Sequence, residues 1–212
     1  MYVTKHTTLT NTELVDALWE LYDNAYDKIA EQDVTREELY RHEFNEVLAD
    51  ATYNKTVIHD PSGAPIALSV IATDIGITRY LSVPFFRRRY PERLRQGRIH
   101  YVMFAVVHPD HQTGRAVAEL CKAGLIPEAD AETLLVFDLP ESNQPDERGR
   151  GAELLHRMSK IVAGGDTKLE SFGVSRYYAI DFALAGADDD VEQHVPVAES
   201  VQDASETAPV NA

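Results

Sequence analysis

The sequence predicts an α/β domain, in which a mixed central sheet is flanked by helices, followed by a disordered acidic C-terminal tail. Helix-type and strand-type apolar patterns alternate along most of the chain. A strand–helix–strand unit lies in its middle, and the composition changes abruptly near the end. A chain of 212 residues has room for one well-buried domain and a short appendage. We therefore predict a domain at residues 1–184 and a flexible tail at residues 185–212.

Composition and charge disfavour several classes of protein. Hydrophobic residues make up 44% and charged residues 26%, as in ordinary globular proteins. The formal net charge of -15 repels the molecule from polyanions, so a generic coat for nucleic acid or anionic membranes is disfavoured. A single cysteine excludes a disulfide framework. No apolar run approaches the ~20 residues that span a bilayer, and the start lacks a signal pattern. We expect a cytoplasmic protein that does not enter a membrane.

The charge is unevenly distributed along the chain. Residues 187–212 contain seven acidic residues, no lysine or arginine, and no aromatic residue. Such a segment cannot bury enough apolar surface to order itself. Residues 76–100, called here the Arg-rich segment, carry seven arginines against the single Glu92.

The Arg-rich segment allows two interpretations. Pro84 and Pro91 predict an irregular course. Its arginine stems could lie over the neighbouring aromatic rings, or the guanidinium groups could bind an anion, with Arg87, Arg88 and Arg89 as the candidate contacts.

Two helices are predicted to open the fold. Thr10 and Glu13 have the spacing of a capping box, and apolar residues follow at helical intervals to about Ala30. Thr35 and Glu38 repeat the capping-box spacing ahead of a second apolar stripe.

A hairpin and a long strand are predicted next. The runs 55–59 and 65–72 flank the turn-forming sequence at residues 60–63, as expected for a β-hairpin. Residues 99–107 are rich in β-branched and aromatic residues and predict a buried strand.

The second half of the chain continues the alternation. A helix is predicted from about Thr113 to Lys122, with Gly124 just beyond its end. Residues 133–139 predict a strand, residues 154–162 a helix, and residues 169–182 a final strand.

This order of elements, together with AVVHPDHQTGRAVAELCKAGL, resembles the GNAT superfamily of acyl-CoA-dependent N-acetyltransferases from about Leu14 to Phe182. In that family two helices precede a hairpin, whose turn would here be residues 60–63. The next long strand ends in a Val-x-Pro step, here Val107-His108-Pro109. The resemblance implies a GNAT-like fold and acetyl-CoA as the cofactor.

The resemblance places the pyrophosphate of acetyl-CoA at the loop and helix that follow this strand. Backbone N–H groups at a helix N-terminus are unsatisfied, and the helix dipole favours an anion there. The family loop reads Gln or Arg, two residues, Gly, one residue, Gly or Ala. Counted from Gln112 it puts Arg115 and Val117 at the small positions, whereas counted from His111 it puts Gly114 and Ala116 there. Arg115 could therefore obstruct the cofactor or bind it.

The resemblance implies a set of cofactor contacts on the strand and the loop. They are Val106, Val107, Gln112, Thr113, Gly114, Arg115 and Ala116.

Acetyl transfer from a thioester to an amine needs a base, a donor to the developing oxyanion and an acid. The resemblance implies that a backbone N–H near Val106 or Val107 polarises the thioester carbonyl. The candidate bases are two carboxylates and two imidazoles: Glu46, Asp138, His108 and His111. The family often uses a tyrosine after the last helix as the acid, and Tyr177 is the candidate here.

Other chemistries have weaker support. His108, Asp110 and His111 lack a clear further ligand, so no metal site is predicted. Cys121 lies on the apolar side of its helix and is expected to be buried. The sequence has no nucleophile elbow, phosphate-binding loop or dinucleotide fingerprint.

Two functions remain. The first is an N-acyltransferase that moves the acetyl group of acetyl-CoA to a small-molecule or protein amine, with the acceptor and the oligomeric state left open. The alternative is a non-catalytic protein of the same fold, in which Arg115 fills the cofactor groove and the Arg-rich segment binds nucleic acid or an acidic partner.

Overall fold

The computed structural model describes residues 1–30, 38–111, 114–139 and 151–173, with residues 27–30 described by their backbone only. The chain divides into two units, Met1–Gly173 and Val174–Ala212. The predicted acidic tail and Tyr177 lie outside the described residues. The predicted boundary at residue 184 stays a prediction.

A five-stranded mixed sheet forms the centre of the first unit. The strands are β1 (Tyr2–His6), β2 (Tyr53–His59), β3 (Pro65–Ala72), β4 (Ile99–Val107) and β5 (Leu134–Val136). They lie side by side in chain order. Pairing is antiparallel from β1 to β4 and parallel between β4 and β5. The predicted mixed sheet is confirmed.

Helices lie on both faces of this sheet. They are α1 (Thr12–Ala30), α2 (Arg41–Ala49), α3 (Val83–Arg89), α4 (Pro91–Arg95), α5 (Arg115–Asp130) and α6 (Ala152–Ala163), with short 3-10 turns at Ile75–Ile77 and Pro109–His111. Side chains of α1 and α2 pack in one core cluster with Val57, whereas α5 packs in a second cluster with Ile58. Because successive strand residues face opposite sides, β2 contributes to both clusters.

Tyr22 lies at the centre of the larger cluster and is fully buried. Its ring centroid is 5.1 Å from that of Phe44 and 4.8 Å from that of Phe104. The hydroxyl group accepts a hydrogen bond from Leu39 N at 2.7 Å. Burial raises the pKa of Tyr22 above its ordinary value. α1, α2 and β4 are thereby joined around one aromatic side chain.

The predicted hairpin is confirmed, and its turn has a simple cause. The Asp60 carboxylate accepts hydrogen bonds from Ser62 N at 2.8 Å and from Ala64 N at 3.0 Å. Gly63 has φ of 95°, a conformation that favours glycine. Aspartate and glycine therefore fix the register of β2 and β3.

The capping box predicted at Thr10 and Glu13 is wrong. α1 begins at Thr12, and the Asn11 side chain accepts a hydrogen bond from Leu14 N at 3.0 Å. Asparagine one position later takes the capping role, since it offers the same short acceptor.

The start predicted for the second helix is also wrong. α2 begins at Arg41, so Glu38 precedes the helix, and Thr35 lies outside the described residues. The Glu43 carboxylate accepts a hydrogen bond from Tyr40 N at 2.9 Å. Glu43 thus satisfies an N-terminal donor in the way expected of Glu38.

The end predicted for the helix after the cofactor loop is wrong. α5 passes through Gly124 and Pro127 and ends at Asp130. Leu125 and Glu128 of the added turns are both buried. Tertiary packing therefore outweighs the helix-breaking tendency of glycine and proline.

Three further elements differ from expectation. β1 was not predicted, and β5 is shorter than the predicted 133–139. Residues 169–173, where a final strand was expected to begin, are not in a strand, and the rest of that prediction lies outside the described residues.

The Arg-rich segment is also more regular than expected, since it contains α3 and α4. Pro84 and Pro91 lie in the first turns of these helices, where proline is tolerated.

Candidate functional site

A cleft of about 310 Å³ lies between α2 and the segment 77–80. Tyr53 at the start of β2 and Met103 of β4 also line it. The remaining lining residues come mainly from α2 and the segment that leads into α3: Leu39, His42, Glu43, Glu46, Val47, Asp50, Ile77, Thr78, Arg79 and Tyr80. This volume is at the lower end of the range for small-molecule sites.

The amphipathic pattern of α2 explains why polar groups face the cleft. Phe44 and Leu48 are fully buried in the core. His42, Glu46 and Asp50 are spaced four residues apart, and side chains at this spacing share one side of a helix. Burial of the apolar stripe therefore directs this polar stripe towards the cleft.

Glu43 and Arg79 neutralise each other at one wall. Arg79 Nη2 donates to Glu43 Oε1 at 2.8 Å, and Tyr40 N donates to Glu43 Oε2 at 2.9 Å. The backbone hydrogen bond from Tyr40 and the guanidinium of Arg79 together lower the pKa of Glu43. Arg79 is accordingly engaged by the protein itself.

The other two carboxylates of the cleft are less compensated. The Glu46 carboxylate has no hydrogen bond or ion pair within the described part of the chain. Asp50 Oδ1 accepts from Thr52 N at 2.8 Å and from Thr52 Oγ1 at 2.7 Å, which lowers the pKa of Asp50. Both carboxylates remain at the surface of the cleft.

Lys55 lies behind this wall and is 1% exposed. Its ammonium group donates to Thr7 O at 2.7 Å and to Asp50 O. Burial lowers the pKa of Lys55 to about 8, although the Asp50 charge opposes this shift. Lys55 holds the end of α2 against the loop after β1.

A β-bulge places Met103 in the cleft. On β3 and β4, Val70 pairs with Phe104, but Ile71 pairs with Val102. Met103 is the extra residue between these pairs and has no Cα partner on β3. A bulge of this kind re-aims a side chain and interrupts the ladder. The cleft therefore reaches the backbone of β4.

β4 continues beyond the end of its parallel partner, β5. β5 pairs with β4 only from Ile99 to Tyr101. Beyond Tyr101, no residue of the described ranges pairs with that edge of β4. Val106 and Val107, predicted to contact the cofactor, lie on this stretch, with Val106 in the larger core cluster and Val107 against the smaller one. Their backbone is thus the part that a ligand could reach.

The N-terminus of α5 follows the open stretch. Gly114 precedes the helix with φ of 97° and ψ of -120°, a conformation that favours glycine. This geometry favours the register in which Gly114 and Ala116 are the small residues. Among the described residues no side chain caps the helix, and its first turn contains no acidic residue. The unsatisfied N–H groups suit an anion.

The individual residues of the predicted cofactor loop have different environments. The Arg115 side chain is exposed and forms no hydrogen bond or ion pair with the described residues. Ala116 is 2% exposed and packs in the smaller core cluster, so only its backbone could contact a ligand. Gln112 and Thr113 lie outside the described residues.

The two predicted catalytic carboxylates, Glu46 and Asp138, lie in different places. Glu46 lines the cleft, but Asp138 does not. Asp138 Oδ1 instead accepts a hydrogen bond from Tyr101 OH at 2.5 Å, where β4 and β5 separate. The Tyr101 ring stacks on Tyr80, with centroids 6.0 Å apart, and Tyr80 lines the cleft. Tyr177 lies outside the described residues.

His108, His111 and Cys121 have ordinary local environments. His108 Nδ1 accepts a hydrogen bond from Asp110 N at 3.3 Å, and the His108 and His111 rings are 5.8 Å apart. Within the described ranges, no group of three or more His, Cys, Asp or Glu residues is suited to a metal ion. Cys121 is half-buried, and burial raises the pKa of its thiol.

The three consecutive arginines are not equivalent. Arg89 forms an ion pair with Glu170 and lies over the rings of Phe85, Tyr90 and Phe172, at 5.9, 5.7 and 5.6 Å. Arg87 and Arg88 are exposed and form no ion pair with the described residues. The prediction of stems lying over aromatic rings thus applies to Arg89, which leaves Arg87 and Arg88 as the candidate anion contacts.

Sequence reasoning missed several residues of the cleft. Tyr53, Tyr80 and Met103 carry no recognisable motif, since a bulge and a long-range approach bring them together. Asp50 could have been found, because it extends the spacing of His42 and Glu46 by one more helical turn.

The site combines an antiparallel run of strands, one parallel pair that separates, and a helix N-terminus beside the separation. No family model matches the chain, and no curated protein matches it. Among the described residues, no helix is both long and apolar enough to cross a membrane.

Solved structures of acetyltransferases resemble this chain. A ribosomal-protein-alanine N-acetyltransferase from Brucella melitensis biovar Abortus 2308 has a TM-score of 0.45 and 12% identity, covering 84% of this chain and 100% of its own. An aminoglycoside acetyltransferase, meta-AAC0020, from an uncultured soil metagenomic sample has a TM-score of 0.48 and 10% identity, covering 85% and 96%. An aminoglycoside 6'-N-acetyltransferase, AAC(6')-Ih, from Acinetobacter baumannii has a TM-score of 0.45 and 11% identity, covering 84% and 100%. These likenesses assign no activity to this chain.

Proposed function

We propose that this protein is an acetyl-CoA-dependent N-acyltransferase that moves an acetyl group to an amine bound in the α2 cleft. The observation that carries the proposal is the edge of β4 beyond Tyr101, which the described residues leave unpaired and which leads to the open N-terminus of α5. The cleft approaches the same strand at Met103. A cofactor and an acceptor could therefore meet at β4.

The features of this edge fit acetyl-CoA. An extended pantetheine arm carries amide groups that could pair with the edge of β4 that the described residues leave unpaired, in the way that an added strand would. The N–H groups of α5 would receive the pyrophosphate. Exposed Arg115 is free to approach a phosphate, which would make it a contact and not an obstruction.

Bound acetyl-CoA would supply the acetyl group as a thioester. Glu46 would take a proton from the acceptor ammonium, directly or through water, so that the neutral nitrogen can attack. A C–N bond would form as the C–S bond breaks, and the second proton lost by the nitrogen would go to the departing sulfur. Backbone N–H groups near Val106 would stabilise negative charge on the carbonyl oxygen. Asp138 stays a second candidate base, and Tyr177 stays the candidate acid.

The first test is calorimetric titration of the full chain with acetyl-CoA. We expect micromolar binding that Gly114→Ala weakens at least about tenfold, because a side chain at a φ of 97° strains the turn beside the phosphate site.

Gly124→Ala is the matched control, since Gly124 lies within α5 and a Cβ there would meet nothing within 4 Å. It should bind acetyl-CoA like the wild type. Absence of binding at millimolar acetyl-CoA by a folded protein would refute the transferase proposal.

The alternative function, a non-catalytic protein that binds nucleic acid or an acidic partner, is favoured by one observation. Arg87 and Arg88 present two guanidinium groups that the described residues do not engage. Exposed Arg115 does not support its second premise, that this side chain fills the cofactor groove. The cytoplasmic location expected from the sequence stays a prediction.

A further inference from the structure

The cleft offers a ligand more uncompensated negative charge than positive charge. Three of its lining residues are carboxylates, and Arg79 is its one guanidinium in the described part of the chain. Arg79 is engaged by Glu43 at 2.8 Å. An anionic group entering the cleft would therefore find no free cation, whereas a cationic group would find Glu46 and Asp50.

Lys55 does not reverse this balance. It faces the Asp50 end of the cleft, but its ammonium group is buried and donates to the carbonyls of Thr7 and Asp50. Among the described residues, the Asp50 carboxylate accepts hydrogen bonds only from the neutral donors of Thr52. A ligand cation could approach Asp50 from the solvent side without displacing a protein cation.

An exposed aromatic ring adds to the attraction. Tyr80 lines the cleft and is 43% exposed, whereas Tyr53 is 7% exposed and has the Lys55 ammonium group 5.8 Å from its ring centroid. The face of a tyrosine ring attracts an ammonium group, by about 0.5–1 kcal/mol at exposed sites. The carboxylates and the Tyr80 ring together form a surface suited to organic cations.

Glu46 and Asp50 offer a ligand cation two separate negative charges. Glu46 and Asp50 lie four residues apart, which is about 6 Å along a helix axis. A cleft of about 310 Å³ accommodates a short chain with an amino group at each end.

We propose that the acceptor is a small amine that carries a second positive charge, with its reacting nitrogen at Glu46 on the β4 side of the cleft and its second charge held by Asp50, which caps the C-terminus of α2. This inference rests on the proposed transferase function and names the substrate class of the same cleft. It predicts selection by the charge at the far end of the acceptor.

A matched pair of ligands tests the proposal. Cadaverine and 6-aminohexanoate share a primary amine on an alkyl chain and differ in the sign of the charge at the other end. Titrated into the full chain without acetyl-CoA, cadaverine should bind at least about tenfold more tightly. Its binding should weaken as sodium chloride is added.

Matched variants locate the effect. Glu46→Gln and Asp50→Asn keep the size of each side chain and remove its charge, and Asn retains an oxygen to accept from Thr52. Each should weaken cadaverine binding about fivefold. Glu92→Gln removes the same charge from α4, outside the cleft, and should bind like the wild type.

Several results would overturn the proposal. Equal or tighter binding of 6-aminohexanoate would do so, as would an equal loss in Glu92→Gln, which would indicate an effect of net charge alone. Tighter binding of a Lys-Lys dipeptide with blocked ends would place the amine on a peptide instead of a free small molecule. Failure of both alkyl ligands to bind at about 10 mM would also refute it.

The outcome is separable from that of the transferase proposal. Cadaverine binding without acetyl-CoA binding would retain the cleft assignment and reject the transfer reaction. Acetyl-CoA binding with a preference for 6-aminohexanoate would retain the transferase proposal and reject an acceptor with a second positive charge.

Discussion

Lys55 is a buried charged residue whose position is explained by its hydrogen bonds. It lies in β2, between the loop after β1 and the end of α2. Two backbone carbonyls accept hydrogen bonds from its ammonium group. Asp50 O also accepts from Tyr53 N at 3.3 Å, whereas Thr7 O has Lys55 as its donor. An unsatisfied buried polar group is costly, so these hydrogen bonds help to keep the charged side chain in the interior.

The lowered pKa of Lys55 predicts how the free energy of unfolding depends on pH. Burial lowers its pKa in the folded state to about 8, from 10.5. Between these two values the unfolded chain binds the extra proton, so the contribution of Lys55 to stability rises with pH in this range. We expect a gain on the order of 1–3 kcal/mol for wild type relative to Lys55→Met between about pH 7 and pH 10.5.

Denaturant unfolding of both proteins across this range measures the difference. The comparison with Lys55→Met removes the contributions of the other titrating groups. Parallel stability curves would contradict a lowered pKa for Lys55.

At the scale of elements, the segment 169–173 is held against α3 by charge and aromatic contacts. Glu170 accepts from Arg89 and, at 3.3 Å, from the Tyr90 hydroxyl group. Phe172 packs edge-on against Phe85, with centroids 5.7 Å apart. Arg89 therefore joins two segments that are distant in sequence, and the segment after α6 depends on a helix from the middle of the chain.

Arg89→Ala should loosen this segment. The ion pair is half-exposed and contributes little by itself, but the guanidinium also lies over three rings. We expect a loss of about 1 kcal/mol and faster amide hydrogen exchange at residues 169–173.

Arg88→Ala is the control, because Arg88 is an exposed neighbour with no ion pair to the described residues. It should leave the exchange rates as they are in the wild type. Equal effects of the two substitutions would show that Arg89 does not hold the segment.

At the scale of the whole molecule, the dominant property is charge. A net charge of -15 on 212 residues implies repulsion that the compact state must overcome. Local positive charge at Arg87 and Arg88 relieves it only in part. Long-range repulsion of this kind is screened by salt, whereas hydrophobic burial in the two core clusters is little affected at low ionic strength.

Stability should therefore increase with low concentrations of salt. Raising sodium chloride from about 0.01 M to about 0.1 M shortens the screening length from about 30 Å to about 10 Å. We expect the melting temperature to rise by a few degrees in calorimetry, since about 1 kcal/mol shifts a domain of this size by about 2–4 °C. A constant or falling melting temperature over this range would contradict dominant self-repulsion.

Much of the fold follows from local patterns in the sequence. The Asp60–Gly63 turn determines the hairpin, and the β-branched run at 99–107 determines β4. Gly114 marks the start of α5, because few other residues adopt its backbone conformation. Glu46 was identified as a candidate base, and it does line the cleft.

Only the tertiary structure decided the rest, because long-range pairing and packing leave no periodic signal. β1 forms by pairing with β2 at a distance of some fifty residues, with Thr4 Oγ1 and His59 Nε2 at 2.9 Å. The bulge at Met103 depends on the register between β3 and β4. The sequence alone determined which segments are helix and strand over most of the chain, while packing determined which side chains meet in the cleft and which arginines stay free.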